Sequence, residues 1–427
     1  MQNVKGTYDF FGKEQAVRQK VRGVLQEVFE LYDFVSMEST VLHELDLLTS
    51  KYAGGDEILK EMYRFTDQGG RKLGLRYDLT IPFAKVMALN PGIKLPYRRY
   101  EIGKVFRDGP VKRGRLREFL QCDVDMVGVE GPEAEAELML IAVEVFKRLA
   151  IPVTLRWNNR RFLSEILGAV GVPAEESLSV MLTLDKLEKI GSDGILAELG
   201  DKGISGSAVE EIAELIAMDE PSFGLLAGRY SLKESQGAAE VRALQTLIDK
   251  LKLSDICRFD PFLSRGLSFY TGTVYEIFDA SGVYASSIGS GGRYDAIIGK
   301  LIGNEDMTYP AAGLSLGMES IMEMIRDQPF PTQTPKVVVL SIGDTRGEAL
   351  MAATVLRSGG IQTGMEPAGR KLKKALASLE SRAIRYALLI GEEEARTGKV
   401  RLKDMKAREE YVVPLDEALY LLEKNET

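Results

Sequence analysis

The segment 105–125, VFRDGPVKRGRLREFLQCDVD, places two β-type runs on either side of a turn that is rich in glycine, proline and basic residues. This pattern predicts a long antiparallel hairpin, and we expect it to extend from Tyr97 to Val129. Side chains alternate between the two faces of a strand, so one face of the second run should carry mostly polar groups. The members of that row are Arg117, Phe119, Gln121, Asp123 and Asp125.

A row of this kind is costly to bury unless its polar groups find partners. Guanidinium groups match phosphate and carboxylate oxygens in a bidentate fashion. The hairpin is therefore predicted to clamp a polyphosphate at its turn and a cationic or polar ligand along its second strand. An edge hairpin with solvated charges remains the alternative.

Three other segments carry patterns that suit a binding site: LRYDLTIP at 75–82, LSRGLSFYTGTVYE at 263–276 and SSIGSGGRYD at 286–295. In the first, Asp78 and Thr80 can receive an amino group, or can begin a helix. In the second, Arg265 can form the floor of a site with Tyr270 as its wall, or can belong to a plain loop that enters a strand. The third allows the backbone to approach a ligand closely, and it lacks a dinucleotide-binding fingerprint.

Composition limits the chemistry that is available. The chain has 427 residues, with one histidine, two cysteines and a net charge of −8. A zinc site built on several histidines is excluded, no metal is expected on protein side chains, and His43 is interpreted as structural. Catalysis must then rest on arginine, lysine, carboxylates, tyrosine and backbone amides. The negative charge argues against sequence-blind nucleic-acid binding, although a local basic surface stays possible.

The sequence also limits the compartment. No apolar run reaches the roughly 18 residues that a membrane span needs, and the N-terminal residues lack a signal-peptide pattern. Cys122 and Cys257 are far apart and have no metal-type spacing. We therefore expect a cytoplasmic protein with no membrane partner.

Periodicity divides the chain into regions. We expect a mixed core over 1–327, a helical insertion within it over 161–253, a proline-rich linker over 328–335 and an alternating α/β module with parallel strands over 336–427. Inside the core, an amphipathic helix is predicted over Glu14–Tyr32, and a helix is expected to begin near Met318.

Taken together and in this order, these segments resemble the histidyl-tRNA synthetase family over essentially the whole chain. KGTYD at 5–9 is similar to the start of that family, and the hairpin from Arg107 to Asp125 resembles class II motif 2. The segments 265–276 and 287–295 resemble the two histidine-specific signatures, and the segments 368–374 and 388–394 resemble the anticodon-binding domain.

The resemblance implies an α+β fold: an antiparallel class II catalytic sheet with flanking helices and a helical insertion, followed by a C-terminal α/β anticodon-binding domain. It implies a homodimer whose interface is built near Phe34–Glu44. It also implies a ligase that activates L-histidine with ATP and Mg²⁺ and transfers it to tRNA(His). The reaction needs alignment and charge neutralisation more than a proton-transfer residue.

Site residues follow from the resemblance position by position. The catalytic residues would be Arg107 and Arg265. Histidine would be bound by Asp78, Thr80, Arg107, Gln121, Asp125, Arg265, Phe269, Tyr270 and Tyr294. ATP would be bound by Arg107, Asp108, Arg115 and Phe119. The tRNA would be contacted by Lys112, Arg113, Arg370, Lys371 and Lys374, where a solvated helix face is the alternative for the last three.

Four positions depart from the family pattern. Ser320 stands where class II enzymes carry an ATP-binding arginine, and Gly109 stands at the usual motif 2 glutamate, with Asp108 as a possible substitute. Ser268 and Phe269 replace the commoner Asp and Tyr. Loss of one preorganised group typically lowers a rate by about 10²–10³, so Ser320 predicts weaker ATP handling rather than inactivity. The region of motif 1 also lacks its usual proline.

Two rival functions remain open. One is a catalytically silent regulatory subunit of the ATP phosphoribosyltransferase of histidine biosynthesis. Such proteins resemble the catalytic domain but generally lack the anticodon module, so the segment after Pro335 favours the synthetase. The other is a non-enzymatic tRNA-binding sensor built on the same fold.

Overall fold

The computed structural model describes residues 1–49, 59–219, 221–265, 269–304, 306–326 and 335–424. It divides into two compact units, Met1–Pro329 and Phe330–Thr427. The predicted linker lies outside the described residues except for Pro335.

The first unit is built on an eight-stranded sheet. Its strands are β1 (Val35–Ser36), β5 (Tyr97–Phe106), β6 (Glu118–Val127), β7 (Val153–Asn159), β8 (Cys257–Phe259), β9 (Thr273–Asp279), β10 (Gly289–Arg293) and β11 (Ala311–Gly317), in the order β1-β5-β6-β11-β10-β9-β7-β8. Strands β5 and β6 pair antiparallel from Tyr97↔Val127 to Phe106↔Glu118, so the predicted hairpin is confirmed. A separate three-stranded sheet has β4 (Lys72–Leu75) between β2 (Leu42–Glu44) and β3 (Arg64–Thr66).

The helices that flank these sheets are Gly12–Leu31, Leu45–Thr49, Thr80–Leu89, Glu133–Arg148, Ile297–Leu301 and Met318–Ile325. Gly12–Leu31 confirms the predicted amphipathic helix, because its buried residues include Val21, Leu25 and Val28. The helix that was expected near Met318 begins at that residue.

The predicted insertion is helical, as expected. Its helices are Arg160–Ala169, Ser177–Leu184, Leu187–Asp201, Gly206–Ile216, Phe223–Arg229 and Gln236–Lys250. The side chains of Asn159, Ser205, Ser222 and Ser235 accept backbone N–H groups in the first turns of four of them, which explains where those helices begin. Apolar residues such as Leu184, Ile195 and Leu199 form a separate core.

The second unit contains a five-stranded sheet. Its strands are β12 (Val337–Ser341), β13 (Thr363–Met365), β14 (Tyr386–Ile390), β15 (Lys399–Asp404) and β16 (Glu409–Pro414), in the order β13-β12-β14-β15-β16. Its helices are Arg346–Ser358, Leu372–Ser381, Glu392–Thr397 and Leu415–Lys424.

The first three strands of this sheet are parallel, as predicted. Strands β15 and β16, which the sequence did not predict, add an antiparallel hairpin to them. Charged residues dominate that hairpin and β16 is mostly exposed, so the only hydrophobic alternation is the short one of Val400 and Leu402 in β15.

Cys122 and Cys257 are free and buried. His43 is buried in β2, with its Nε2 atom unpartnered in the described part of the chain. No helix among the described residues is both long enough and apolar enough to cross a membrane.

Candidate functional site

One row of polar side chains crosses five adjacent strands of the large sheet. In register, Glu276 on β9 lies opposite Ser290, Ser290 opposite Ser315, Ser315 opposite Asp123, and Asp123 opposite Glu101. Residues that are paired in register project from the same face of a sheet. Asp123 and Glu101 are each only 2% exposed, and Glu276, Ser290 and Ser315 are partly buried, so the row is buried at its β5–β6 end and partly accessible at its β9 end.

Arg107 contacts this row at the β6 side. Its Nη2 donates to Oε1 of Gln121 at 3.3 Å, and Nε2 of Gln121 donates to Oγ of Ser315 at 2.8 Å. The guanidinium carbon lies 4.2 Å from the ring centroid of Tyr77 and 5.0 Å from that of Phe119. Burial lowers the pKa of Arg107, which marks a guanidinium with little water around it.

Arg265 contacts the same row from the β9 and β10 side. Its Nη2 donates to Oγ of Ser290 at 2.9 Å, and its Nη1 forms an ion pair with Glu276. The backbone at Arg265 is left-handed, with φ 62°, and its N–H donates to Oδ1 of Asp185 at 2.9 Å. The helical insertion therefore supports the backbone of this arginine. Because Ser290 and Ser315 are register partners, Arg107 and Arg265 lie along one polar row on one sheet face.

A buried carboxylate pocket lies beside the row. Oδ2 of Asp125 is 2.7 Å from Nη2 of Arg99, and Oδ1 of Asp125 accepts the hydroxyl of Tyr294. Burial raises the pKa of Asp125, and it raises that of Asp123 to about 8 with a further contribution from the negative charge of Asp125. The ring of Phe269 lies 4.8 Å from Tyr270 and 6.1 Å from Tyr294, measured between centroids. Ser268 lies outside the described residues.

Glycines make room for this arrangement. A Cβ on Gly313 would lie 2.0 Å from Oδ1 of Asp125, so a side chain there is incompatible with the pocket as built. One glycine of the glycine-rich segment makes room for protein atoms, and the expectation that the segment lets a ligand approach stays a prediction. A Cβ on Gly291 would meet the carbonyl oxygen of Gly313 at 2.1 Å and the ring of Tyr275 at 2.6 Å, so the space is needed by protein atoms.

Asp78 and Thr80 lie where a helix begins, which confirms the simpler of the two sequence interpretations. The helix starts at Thr80, and Oδ1 of Asp78 accepts the N–H of Ile81 at 3.0 Å. Burial raises the pKa of Asp78. The capping bond uses one oxygen, so the second oxygen can still accept another donor.

The turn of the β5–β6 hairpin is closed by backbone hydrogen bonds between Lys112 and Arg115 in both directions. Lys112, Arg113 and Asp108 are exposed, and Asp108 lies 3.4 Å from Nη2 of Arg117. Nη2 of Arg115 lies 2.5 and 2.6 Å from the two carboxylate oxygens of Glu61.

Ser320 lies in the first turn of the helix Met318–Ile325 and is 7% exposed. Its Oγ is 3.2 Å from the hydroxyl of Tyr284. A Cβ on Gly114 would lie 1.9 Å from that hydroxyl, so Tyr284 packs between the hairpin turn and this helix. Nε of Arg113 donates to Oε2 of Glu323 on the same helix at 2.8 Å.

In the second unit, Arg370, Lys371 and Lys374 are exposed at the start of the helix Leu372–Ser381. Arg370 forms an ion pair with Glu366 and lines a cavity of about 270 Å³ together with Ser341 and Gly343. The cavity lies at the carboxyl end of β12, where ligands bind in many parallel sheets.

Sequence reasoning missed several members of the site. Arg99, Glu101, Ser290, Ser315 and Glu276 lie on four strands, and only strand register makes them neighbours. The alternation rule that selected the polar face of β6, applied also to β5, would have found the first two. Among the described residues, no group of three His, Cys, Asp or Glu side chains is arranged to hold a metal ion.

The large sheet is antiparallel except for the parallel edge pairs β1–β5 and β7–β8. Such a sheet with this hairpin, a helical insertion and a separate C-terminal α/β unit defines a class II aminoacyl-tRNA synthetase architecture. A family profile described as Histidyl-tRNA synthetase matches residues 6–321, and one described as Anticodon binding domain matches residues 336–425. The chain belongs to the histidyl-tRNA synthetase family.

Individual relatives agree with this assignment. "Histidine--tRNA ligase 1" of Bacillus anthracis is 47% identical over 423 residues, which cover 97% of this chain and 98% of the relative. "Histidine--tRNA ligase 2" of Shouchella clausii is 44% identical over 425 residues, which cover 97% and 98%. The crystal structure of the histidyl-tRNA synthetase from Nostoc sp. PCC 7120 matches with a TM-score of 0.83 and 26% identity and covers 99% of each chain.

The solved structure of an ATP phosphoribosyltransferase regulatory subunit/histidyl-tRNA synthetase from Bacillus halodurans also matches, with a TM-score of 0.74 and 19% identity. The match covers 91% of this chain and 97% of the chain in that structure, and at this identity it shows a shared fold alone.

Proposed function

We propose that this chain is a histidine–tRNA ligase, which activates L-histidine with ATP and transfers it to tRNA(His). The observation that carries the proposal is the partly buried polar row with Arg107 and Arg265 along it and the buried Asp125 pocket beside it. Buried charges on this scale are costly, so a site that retains them is expected to bind a charged substrate.

In the first step, a carboxylate oxygen of histidine attacks the α-phosphorus of ATP. The bond from that phosphorus to the bridging oxygen breaks, pyrophosphate leaves, and histidyl-adenylate forms. Arg107 would bridge the histidine carboxylate and the α-phosphate, and Arg265 would stabilise charge at the α-phosphate. Two fixed guanidinium groups lower the cost of bringing two anions together, which is the main barrier to such a displacement.

The rest of the nucleotide would be held by the hairpin. Arg115 would hold the γ-phosphate side, and Asp108 and Phe119 would be further contacts to ATP. Mg²⁺ would arrive with ATP as part of the substrate complex and would neutralise phosphate charge. Ser320 supplies no cation, so we expect ATP to bind more weakly than in relatives that carry an arginine there.

Histidine would be recognised through all of its polar groups. Asp78 and Thr80 would receive the α-amino group, while Gln121 and Asp125 would face the imidazole. Phe269, Tyr270 and Tyr294 would line the pocket, and the hydrogen bond from Tyr294 to Asp125 orients that carboxylate. A pocket of buried polar groups rejects analogues that leave them unpaired.

In the second step, a hydroxyl of the terminal ribose of tRNA attacks the carbonyl carbon of the adenylate, and AMP leaves. Lys112 and Arg113 at the exposed hairpin turn are candidate contacts for the tRNA end. Arg370, Lys371 and Lys374 are candidate contacts for the anticodon. We assign residues 1–327 as the catalytic core, 328–335 as the linker and 336–427 as the anticodon-binding domain.

We further propose that the chain works as a homodimer in the cytoplasm. The exposed apolar side chains of Val35, Val41 and Leu42 lie in the segment 34–44, where the family builds its interface. Apolar groups exposed together at one segment suit burial against a second copy.

The deciding experiment is histidine-dependent exchange between ATP and pyrophosphate by the purified chain. We expect exchange that requires histidine, that falls at least about 100-fold in Arg265→Ala, and that falls comparably in Arg107→Ala. Tight histidine binding without any exchange would instead identify a regulatory subunit. Binding of tRNA without histidine binding would identify a sensor.

A further inference from the structure

Glu61 provides a carboxylate at the place where the motif 2 glutamate is missing. The residue at that position is Gly109, which is buried. A Cβ built on Gly109 would lie 2.5 Å from Oε1 and 2.8 Å from Cδ of Glu61. The carboxylate from a distant segment therefore fills the space that a side chain at 109 would need.

Backbone contacts hold Glu61 there independently of its side chain. The N–H of Asp108, next to Gly109, donates to the carbonyl oxygen of Glu61 at 2.7 Å. Gly109 is not among the residues with positive φ, so its backbone would accept a side chain without strain. What bars a side chain at 109 is Glu61 itself.

The contact between Glu61 and Arg115 leaves part of the guanidinium available. Both carboxylate oxygens contact the same nitrogen, Nη2 of Arg115, at 2.5 and 2.6 Å. Within the described part of the chain, Nε of Arg115 is buried and has no hydrogen-bond partner. The side chain of Arg115 is 39% exposed, so the part of the guanidinium that Glu61 does not contact is accessible to a phosphate oxygen of a bound nucleotide.

We propose that Glu61 is a positioning residue for the nucleotide: it replaces the missing motif 2 carboxylate and fixes Arg115 so that its free edge faces the triphosphate. This inference rests on the proposed function, because Arg115 must bind ATP for its orientation to matter. Glu61 acts through Arg115 and does not itself contact the reacting atoms.

The first test compares ATP and histidine kinetics in pyrophosphate exchange. Glu61→Ala should raise the KM for ATP about 5- to 20-fold, because Arg115 loses its fixed orientation, while the KM for histidine stays within about two-fold. The KM for ATP of Glu61→Gln should lie between that of Glu61→Ala and that of the unmodified chain. Glu144→Ala, which breaks an ion pair with Arg148 on the helix Glu133–Arg148, is the matched control and should change neither KM.

The second test moves the carboxylate back to motif 2. Gly109→Glu alone should raise the KM for ATP because two carboxylates then compete for one space. In the double variant Glu61→Ala/Gly109→Glu, the KM for ATP should return to within about three-fold of that of the unmodified chain. Equilibrium dialysis with ATP alone measures the affinity of each variant for ATP without turnover, and it should rank the variants in the same order.

These outcomes separate the inference from the proposed function. Absence of exchange by the unmodified chain would refute the function. If the unmodified chain exchanges normally, then an ATP KM within two-fold in Glu61→Ala, or no recovery in a folded double variant, would overturn the role of Glu61. A lower ATP KM in Glu61→Ala would also overturn it, since the carboxylate would then compete with ATP for Arg115.

Discussion

Gly313→Ala should disable histidine binding while leaving the nucleotide site intact. Gly313 lies on β11 directly opposite Asp125 on β6. A Cβ at position 313 would be 2.0 Å from Oδ1 of Asp125 and 3.2 Å from the ring of Tyr294. Nonbonded carbon and oxygen atoms do not approach closer than about 3.0 Å in folded proteins, so the carboxylate must retreat by about 1 Å.

The magnitude follows from what that retreat disturbs. Asp125 is held by Arg99 at 2.7 Å and by the hydroxyl of Tyr294, and both contacts are buried. Overpacking of a well-packed core costs about 1–3 kcal/mol, and a buried charge that loses its partner costs about 3–5 kcal/mol. A misplacement of about 1 Å in a substrate-positioning group can cost about 10²-fold. We therefore expect kcat/KM for histidine to fall about 100-fold.

We would measure the kcat/KM for histidine in the exchange reaction, the affinity for histidine by calorimetry, and the free energy of unfolding in urea. The free energy of unfolding should fall by about 2–4 kcal/mol, whereas the dissociation constant for ATP alone should stay within about three-fold. Gly317→Ala is the control on the same strand, because its Cβ would meet nothing closer than Oγ of Ser320 at 3.4 Å. Normal histidine binding by a folded Gly313→Ala variant would show that Asp125 does not form the histidine pocket.

Three other predictions follow from single contacts. Ser320→Arg should raise the KM for ATP about 10-fold rather than lower it, because the hydroxyl of Tyr284 lies 3.2 Å from Oγ of Ser320 and leaves no room for a longer side chain. A lower KM for ATP in exchange assays would contradict the packing argument. Burial raises the pKa of Asp123 from 3.8 to about 8, so the folded state keeps a proton that the unfolded state releases. The contribution of Asp123 to the free energy of unfolding should therefore fall as pH rises between those values, and urea titrations of Asp123→Asn and the unmodified chain at several pH values should differ by that slope. Burial lowers the pKa of His43 from 6.5 to about 4, so the contribution of His43 to stability should decline by at most about 3 kcal/mol as pH falls through that window. The imidazole resonance of this single histidine should titrate near pH 4 in an NMR experiment rather than above pH 6.

Secondary structure was predictable wherever a hydrophobic period was strong. The hairpin over Tyr97–Val127, the helical insertion and the three parallel strands of the second unit all follow patterns that can be read in the sequence. The hairpin of Lys399–Asp404 and Glu409–Pro414 was not predicted, because charged side chains dominate both strands. The first strand alternates only two apolar residues with them, and the second is mostly exposed.

Part of the site was predictable for a related reason. The polar alternation of β6 identified Gln121, Asp123 and Asp125 as one face, and all three are buried on the sheet. The glycine-rich strand shows the limit of this reasoning. A glycine such as Gly291 signals that space is needed, but sequence does not tell whether a ligand or the ring of Tyr275 takes that space.

The sequence by itself determined the family, the helical and extended segments, and the scarcity of histidine that leaves arginine and carboxylate groups to do the chemistry. The helical and extended segments depend on local patterns of residues, and the family is identified by comparing motif residues one position at a time. Only the tertiary structure decided that Ser290 and Ser315 connect Arg265 to Arg107, and that Glu61 fills the space beside Gly109. Such neighbours are set by strand register and by the packing of distant segments, and these are global properties of the folded chain.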